Sequence, residues 1–242
     1  MNNIQICNIS FVKIASDQYN GQVGMAKHIA TGAGAYFGTG FGSDLLSRGY
    51  LSAAGDLTHD GSKSHKDVIK SISRLLSRNN TTISHDKLNV SALGQNMSKP
   101  IKGPLDAAYN SFTNTVGVSR DAHPGIFAHE AGHAKGTQNF MWSNILGKNL
   151  GSLASLYALF GTRDKSTADT AAMVSGGLMA AGTLPSEIDA SRRGFSMLRK
   201  LPFKDRIKSF VGLPTYLLAA LVPYLSVQAK DYMGGFNQKQ AQ

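Results

Sequence analysis

A chain of 242 residues is long enough to bury a substantial core, as one large domain or one domain with an appendage, without covalent staples. Its single cysteine, Cys7, has no partner within the chain, which excludes an internal disulfide framework and a thiolate-based metal centre. The excess of 25 Lys and Arg over 15 Asp and Glu, a formal charge of +10, gives a surface that attracts polyanions, whether nucleic acid, anionic lipid or acidic protein.

The run Met1-Asn2-Asn3-Ile4-Gln5 lacks the basic n-region of a secretory signal and no long apolar stretch follows it, so residence on the cytoplasmic side is expected. Residues 1–60 read as a Gly-rich N-terminal segment, in which Gly32, Gly34, Gly38, Gly40 and Gly42 interleave with Ala33, Ala35, Tyr36, Phe37 and Phe41. Such spacing suits helices that approach closely, in a membrane or a tight bundle, and equally suits a flexible lead-in. Gly32-Ala33-Gly34 neither follows a strand nor carries the lysine of a P-loop, so no nucleotide site is read there. Residues 61–242 are expected to form the functional domain, with a hydrophobic helix near its C-terminus.

Ser64, with Asp67 three residues on, reads as a helix N-cap, and Val68, Ile69, Ile72, Leu75 and Leu76 predict an amphipathic helix running to Arg78. Its polar face carries Lys66, Lys70, Arg74 and Arg78 at four-residue intervals, a solvated face that can also touch phosphate. An irregular stretch rich in Ser and Asn follows, closed by Pro100 and Pro104. From Asn110, the alternation of Phe112, Asn114, Val116 and Val118 with Thr113, Thr115 and Gly117 predicts a short strand. An exposed edge on that strand would hold a peptide in extended form by backbone hydrogen bonds.

His123-Pro124 then starts a helix, since Pro is favoured at the first helical position. In its second turn stands Phe127-Ala128-His129-Glu130-Ala131-Gly132-His133, which contains His-Glu-x-x-His. Residues four apart share a helix face, so His129 and His133 can grip one metal ion while Glu130, about 100° round, reaches a water on it. The chain has only two glutamates, Glu130 and Glu187, and a chance match to the pattern is expected in roughly one shuffled chain in several hundred. Phe127, Ala131 and Ala134 form the expected core face, and Ala131 and Gly132 are small enough for close packing beneath the site.

A site of this kind takes a third protein ligand and leaves the fourth position to water. Two apolar stretches, 149–162 and 170–186, joined by the charged turn Arg163-Asp164-Lys165, predict a hydrophobic helical hairpin. After it comes Leu184-Pro185-Ser186-Glu187-Ile188-Asp189-Ala190-Ser191-Arg192-Arg193. This segment, together with Ala128 to Ala134, resembles the neutral zinc metallopeptidase family of bacterial membrane proteins (YugP type). There a His-Glu-x-Gly-His-Ala helix is followed, after a hydrophobic hairpin, by a Leu-Pro-x-Glu-Phe-Asp-Ala-Ser-Arg-Arg segment. The likeness covers roughly residues 80–200; the chain departs from it at Ile188, where the family has Phe, and at Lys135-Gly136, where it has glutamine.

The resemblance implies zinc as cofactor, with Glu187 matching the family's metal-binding glutamate and Asp189 the acidic residue two further on. Asp189 remains the rival ligand; as a supporting residue it would orient a ligand histidine or cap a neighbouring element. Glu130 is the expected general base, a peptide or protein the expected substrate, and the fold class mainly α (α+β), zincin-like, with a small β element beside the motif helix. His123, Arg192 and Arg193 are the nearest candidates to stabilise a tetrahedral oxyanion, each also readable as a surface side chain. A non-catalytic structural or interaction protein that keeps a metal site is the alternative.

Between Arg192 and Lys208 seven basic residues are opposed only by Asp205, and Ser209 to Ala229 is then free of charge for 21 residues. That junction reads as a contact with an anionic membrane surface. It reads equally as a buried core helix, which a mean hydropathy of −0.15 and the prolines Pro214 and Pro223 favour. No aromatic-and-basic motif of known spacing is present, so no specific nucleic-acid partner is expected. Nothing in the pattern speaks to oligomeric state.

Overall fold

Helices dominate the described residues, among which short strands occur only between residues 82 and 118. The computed structural model describes residues 22–53, 55–92, 95–136 and 140–236. The readings made on Met1 to Gln5 and on Cys7 lie outside the described residues. In chain order the elements are α1 (Gln22–Ala53), α2 (Lys63–Arg78), β1 (Thr82–Ser84), β2 (Lys87–Ala92), β3 (Gln95–Pro100), β4 (Ala107–Asn110) and β5 (Thr115–Val118). There follow α3 (Pro124–Lys135), α4 (Met141–Leu156) with a π turn at Tyr157–Gly161, α5 (Lys165–Met197), α6 (Phe203–Arg206) with a 3-10 turn at Ile207–Phe210, and α7 (Leu213–Tyr232).

Where composition suggests a division near residue 60, the fold divides the chain into two units, each assembled from separated segments. One unit comprises Met1–Arg48, Ile145–Gly182 and Thr215–Gln242; the other comprises Gly49–Asn144 and Thr183–Pro214. The Gly-rich segment is helical from Gln22 onward rather than a flexible lead-in.

The first unit packs on small side chains. Its core holds Ala35, Ala158, Leu159, Ala168, Ala172, Val227 and Phe236. A Cβ at Gly147 would stand 2.6 Å from the Leu178 carbonyl oxygen, and one at Gly176 would collide with that of Ala220, so these backbones meet at distances only glycine permits. Buried polar groups are satisfied locally: Ser175 donates to the Gly151 carbonyl at 2.6 Å, and Lys230 donates to the Leu159 carbonyl. The outward faces are apolar, with Phe37 and Phe41 each 72% exposed and Leu146, Leu217 and Leu221 exposed as well.

The second unit packs α2 and α3 against a small sheet. Its core includes Leu57, Val68, Ile72, Leu76, Val116, Val118, Ile126, Phe127 and Leu198. Helix α2 runs to Arg78 as the periodicity predicts, but its N-cap is Ser62, whose hydroxyl accepts from the His65 amide, and not Ser64. The strand expected from Asn110 is β5 alone, beginning at Thr115. Asn110 ends β4 and its side chain accepts from the amides of Phe112 and Thr113, while Asn114 adopts a positive φ of 48°, so 111–114 turn the chain back as a hairpin. The sheet order is β1-β5-β4, with β1 parallel and β4 antiparallel to β5. Strand β5 is therefore central and buried along its length, which removes the exposed edge expected to receive a peptide. The Ser- and Asn-rich stretch read as irregular forms the antiparallel pair β2–β3, in register from Lys87↔Pro100 to Ala92↔Gln95.

Candidate metal centre

Helix α3 begins as its sequence dictates. Pro124 occupies N1, and the His123 side chain caps the helix by accepting the Gly125 amide at Nδ1, 2.9 Å away. Seven of the first eight helical residues are buried at Ala131 or before it, and the eighth, Glu130, is partly exposed. The helix then meets α5 backbone to backbone. A Cβ on Gly132 would collide with the Ala190 carbonyl oxygen, and one on Gly194 would lie 2.9 Å from the Ala128 carbonyl. Close packing under Gly132 is thus as expected, and it is what brings the second motif segment to the first.

At this crossing His129, His133 and Glu187 converge, their ligand atoms all within 4.8 Å of one another. The Nε2 atoms of His129 and His133 lie 3.1 and 3.2 Å from the same oxygen, Glu187 Oε2. The two rings stand edge to face at 85°, with centroids 4.8 Å apart. His129 and Glu187 are 8% and 5% exposed, whereas His133 is only partly buried, so the group opens on the His133 side.

The far side of His129 settles its tautomer. Nδ1 lies 3.0 Å from the Ser209 carbonyl oxygen, which can only accept, so Nδ1 carries the hydrogen and the neutral ring presents a lone pair at Nε2. The Ser191 hydroxyl, also 3.0 Å from Nδ1, adds a second oxygen there. Two imidazole nitrogens and a carboxylate oxygen directed at one point, with the His129 ring fixed from behind by a carbonyl, is a donor set suited to a divalent cation such as zinc. Without a cation the group must hold protons in its place. Burial opposes charging His129, but the hydrogen bond to Glu187 and the charges of Glu130 and Glu187 outweigh it and raise its pKa. Burial likewise opposes ionising Glu187, yet the two histidines win and bring its pKa down to about 2.

The other sequence candidates fall elsewhere. Asp189 does not touch the histidines; its Oδ2 accepts from Arg193 Nε at 2.7 Å, and Arg193 Nη1 reaches the Lys135 carbonyl at 3.4 Å. It therefore supports the end of α3 through Arg193, and the oriented-histidine role falls to Ser191 and Ser209. Arg192 is exposed. Glu130 takes no hydrogen bond or ion pair from another described residue.

His123 is 1% exposed, with Nδ1 committed to the α3 cap and Nε2 buried without a hydrogen-bond partner among the described residues, so it does not present an open donor to an oxyanion. Nδ1 caps α3, so the neutral ring carries its hydrogen on Nε2, which faces Asp205 Oδ1 at 3.5 Å. His65 stacks edge-on against it at 4.9 Å and places Nδ1 2.9 Å from Asp60 Oδ1. With its hydrogen on Nε2, His123 offers no lone pair to a metal in the group His65, His123 and Asp205, whose buried His123 Nε2 and His65 Nδ1 lack hydrogen-bond partners of suitable geometry among the described residues. Burial, then the nearby Lys208 and His65, lower the His123 pKa to about 4 against the pull of Asp205.

Sequence reasoning missed Ser191 and Ser209. Ser191 carried a signal, since it stands four residues after Glu187 on the same helix face; the Ser209 carbonyl, a backbone atom 80 residues from its partner, carried none. No family model, characterised protein or solved structure matches this chain.

Proposed function

We propose that the chain is a zinc-dependent peptidase whose centre is His129, His133 and Glu187. The observation that carries the reading is the convergence of these three donors beside a glutamate, Glu130, that takes no hydrogen bond or ion pair from another described residue. Bound zinc would supply Lewis acidity, polarising a peptide carbonyl and acidifying a water. Glu130, adjacent in sequence to His129 and partly exposed, accepts a proton from the attacking water and returns it to the leaving amine. His129 and His133 hold neutral nitrogens toward the centre, and Ser209 keeps His129 in the required tautomer. Glu130→Gln keeps the shape and removes the base, so peptide cleavage should fall by roughly 10²–10⁴-fold while zinc content is unchanged. Undiminished cleavage in that variant refutes the reading. Chelation that lowers the melting temperature, with cleavage absent from every preparation, would leave the metal as a stabilising element instead.

We also infer that the first unit contacts lipid. Its helices meet through glycine and alanine and turn Phe37, Phe41, Leu146 and Leu221 outward. The segment Phe203–Tyr232, which belongs to this unit from Thr215 onward, is long and apolar enough to cross a membrane, with a mean hydropathy of 1.7 over its most apolar window and only 17% of that window buried. A core helix of a water-soluble protein would be buried over most of that length, which weighs against the core-helix alternative.

A further inference from the structure

The second unit contains a cleft of about 750 Å³ that the centre itself does not use. One wall is α2, which contributes Arg74 and Arg78; the facing wall is the last turns of α5 and the residues beyond, which contribute Arg192, Arg199 and Lys200. The floor is aliphatic, from buried Val68 and Ile72 and from Met197. Seven lining side chains are cationic and one, Asp189, is anionic, and it is already paired with Arg193. Among the described residues the remaining cations have no carboxylate partner, so the two basic rows that line the cleft repel each other until an anion enters. Periodicity reads Arg74 and Arg78 as part of a solvated face; in the fold they stay exposed but line one cleft together with a second basic row. The cleft lies next to the centre along both helices: Lys135 stands two residues past His133, and Asp189 two past Glu187.

We propose that this cleft binds an acidic polypeptide segment, and that such a segment is the substrate of the centre, the second part resting on the peptidase reading above. Three features select this anion. Guanidinium groups match carboxylates in planar, two-point geometry, and an aliphatic floor accepts the methylene stems of Glu and Asp. No lining residue is aromatic, so the cleft has no platform on which bases stack, as single-stranded nucleic acid requires. The cations line both sides of the cleft rather than a single face, so an extended chain lying in it meets both rows at once. The volume falls in the range of ligand pockets, on the order of 300–1,000 Å³.

The test is fluorescence anisotropy of a labelled Glu-rich peptide against the full chain carrying Glu130→Gln, so that nothing is cleaved during the titration. The Glu-rich peptide should bind at least about tenfold more tightly than its Gln counterpart, with an affinity that falls as salt rises. Arg74→Glu with Arg78→Glu should weaken it by about tenfold or more, while Lys66→Glu with Lys70→Glu, the same charge change on the same helix outside the cleft, should stay within about threefold. Circular dichroism checks the fold of each, and Arg192→Glu with Arg199→Glu tests the opposite wall should the first pair unfold. Equal weakening by the inside and outside pairs overturns the proposal, because net charge would then suffice. Tighter binding of a single-stranded oligonucleotide or of phosphatidylserine vesicles, abolished by the inside pair, overturns it in favour of that partner.

Cleavage by the wild-type chain separates the two readings. Equal kcat/KM for acidic and neutral peptides, unmoved by the Arg74 and Arg78 changes, sinks the cleft proposal and leaves the peptidase standing. Cleft-dependent binding of the Glu-rich peptide with no cleavage of any peptide removes the peptidase and the substrate assignment, and leaves the acidic-peptide site.

Discussion

At the scale of single residues, the centre depends on what stands behind the ligands. Ser191→Ala removes one oxygen from His129 Nδ1 but spares the Ser209 carbonyl, so zinc affinity should drop within the roughly 10–100-fold range typical of such supporting groups, read by competition with a chelator. No change would show that Ser209 alone fixes the ring. His123 makes a separate claim about acid. The folded chain holds it neutral down to about pH 4, whereas the unfolded chain protonates it near its ordinary 6.5. Between those values the unfolded state binds the extra proton, so stability is full above about pH 6.5, falls as pH drops through the window and levels off below about 4. His123→Asn retains a side chain that caps helices and does not titrate, so the shift in urea midpoint between pH 7 and pH 5 should shrink in that variant. An identical shift in both proteins would place the acid sensitivity elsewhere. Of these residues the motif revealed His129 and His133, because spacing on a helix encodes a shared face, while Glu187 came from the resemblance of its own segment to the metallopeptidase family. The partner of His123 was not legible, since Asp205 reaches it from a distant turn and no spacing announces that meeting.

At the scale of elements, the contact between α3 and α5 decides whether the donors meet. Gly132→Ala places a methyl group against the Ala190 carbonyl, which the helices can relieve only by moving apart. Overpacking of this kind costs typically 1–3 kcal/mol, and the variant should melt at lower temperature and lose zinc more readily; a variant with wild-type zinc affinity and melting would mean the crossing is looser than described. The fold here was partly legible. The 3.6-residue rhythm of α2 located that helix, yet its start was misplaced because Ser62 and Ser64 both suit an N-cap and only the folded loop chooses. The hairpin β4–β5 was read as one strand because Phe112 and Thr113 continue the alternation through a turn that Asn110 and Asn114 impose. The apolar stretch 170–186 marks only the middle of the long helix α5, which runs from Lys165 through Pro185 to Met197, and Glu187 rides two residues beyond that proline.

At the scale of the whole molecule, composition alone could not show that the N-terminal helix shares a unit with residues 145–182 and 215–242, because that grouping joins segments more than 100 residues apart. Expressed in bacteria, the chain should sediment with membranes and resist extraction by alkaline carbonate, as a protein holding Phe37, Phe41 and Leu221 in lipid does; full release into the wash would return those faces to a protein partner. The central claim is that two separated segments build one zinc site, and metal content per chain tests it most directly. Elemental analysis should find close to one zinc per wild-type chain, retained in Glu130→Gln and lost in both His133→Ala and Glu187→Ala, all four proteins showing the same helical circular dichroism. Wild-type protein without stoichiometric zinc, or full zinc in Glu187→Ala, would contradict the account.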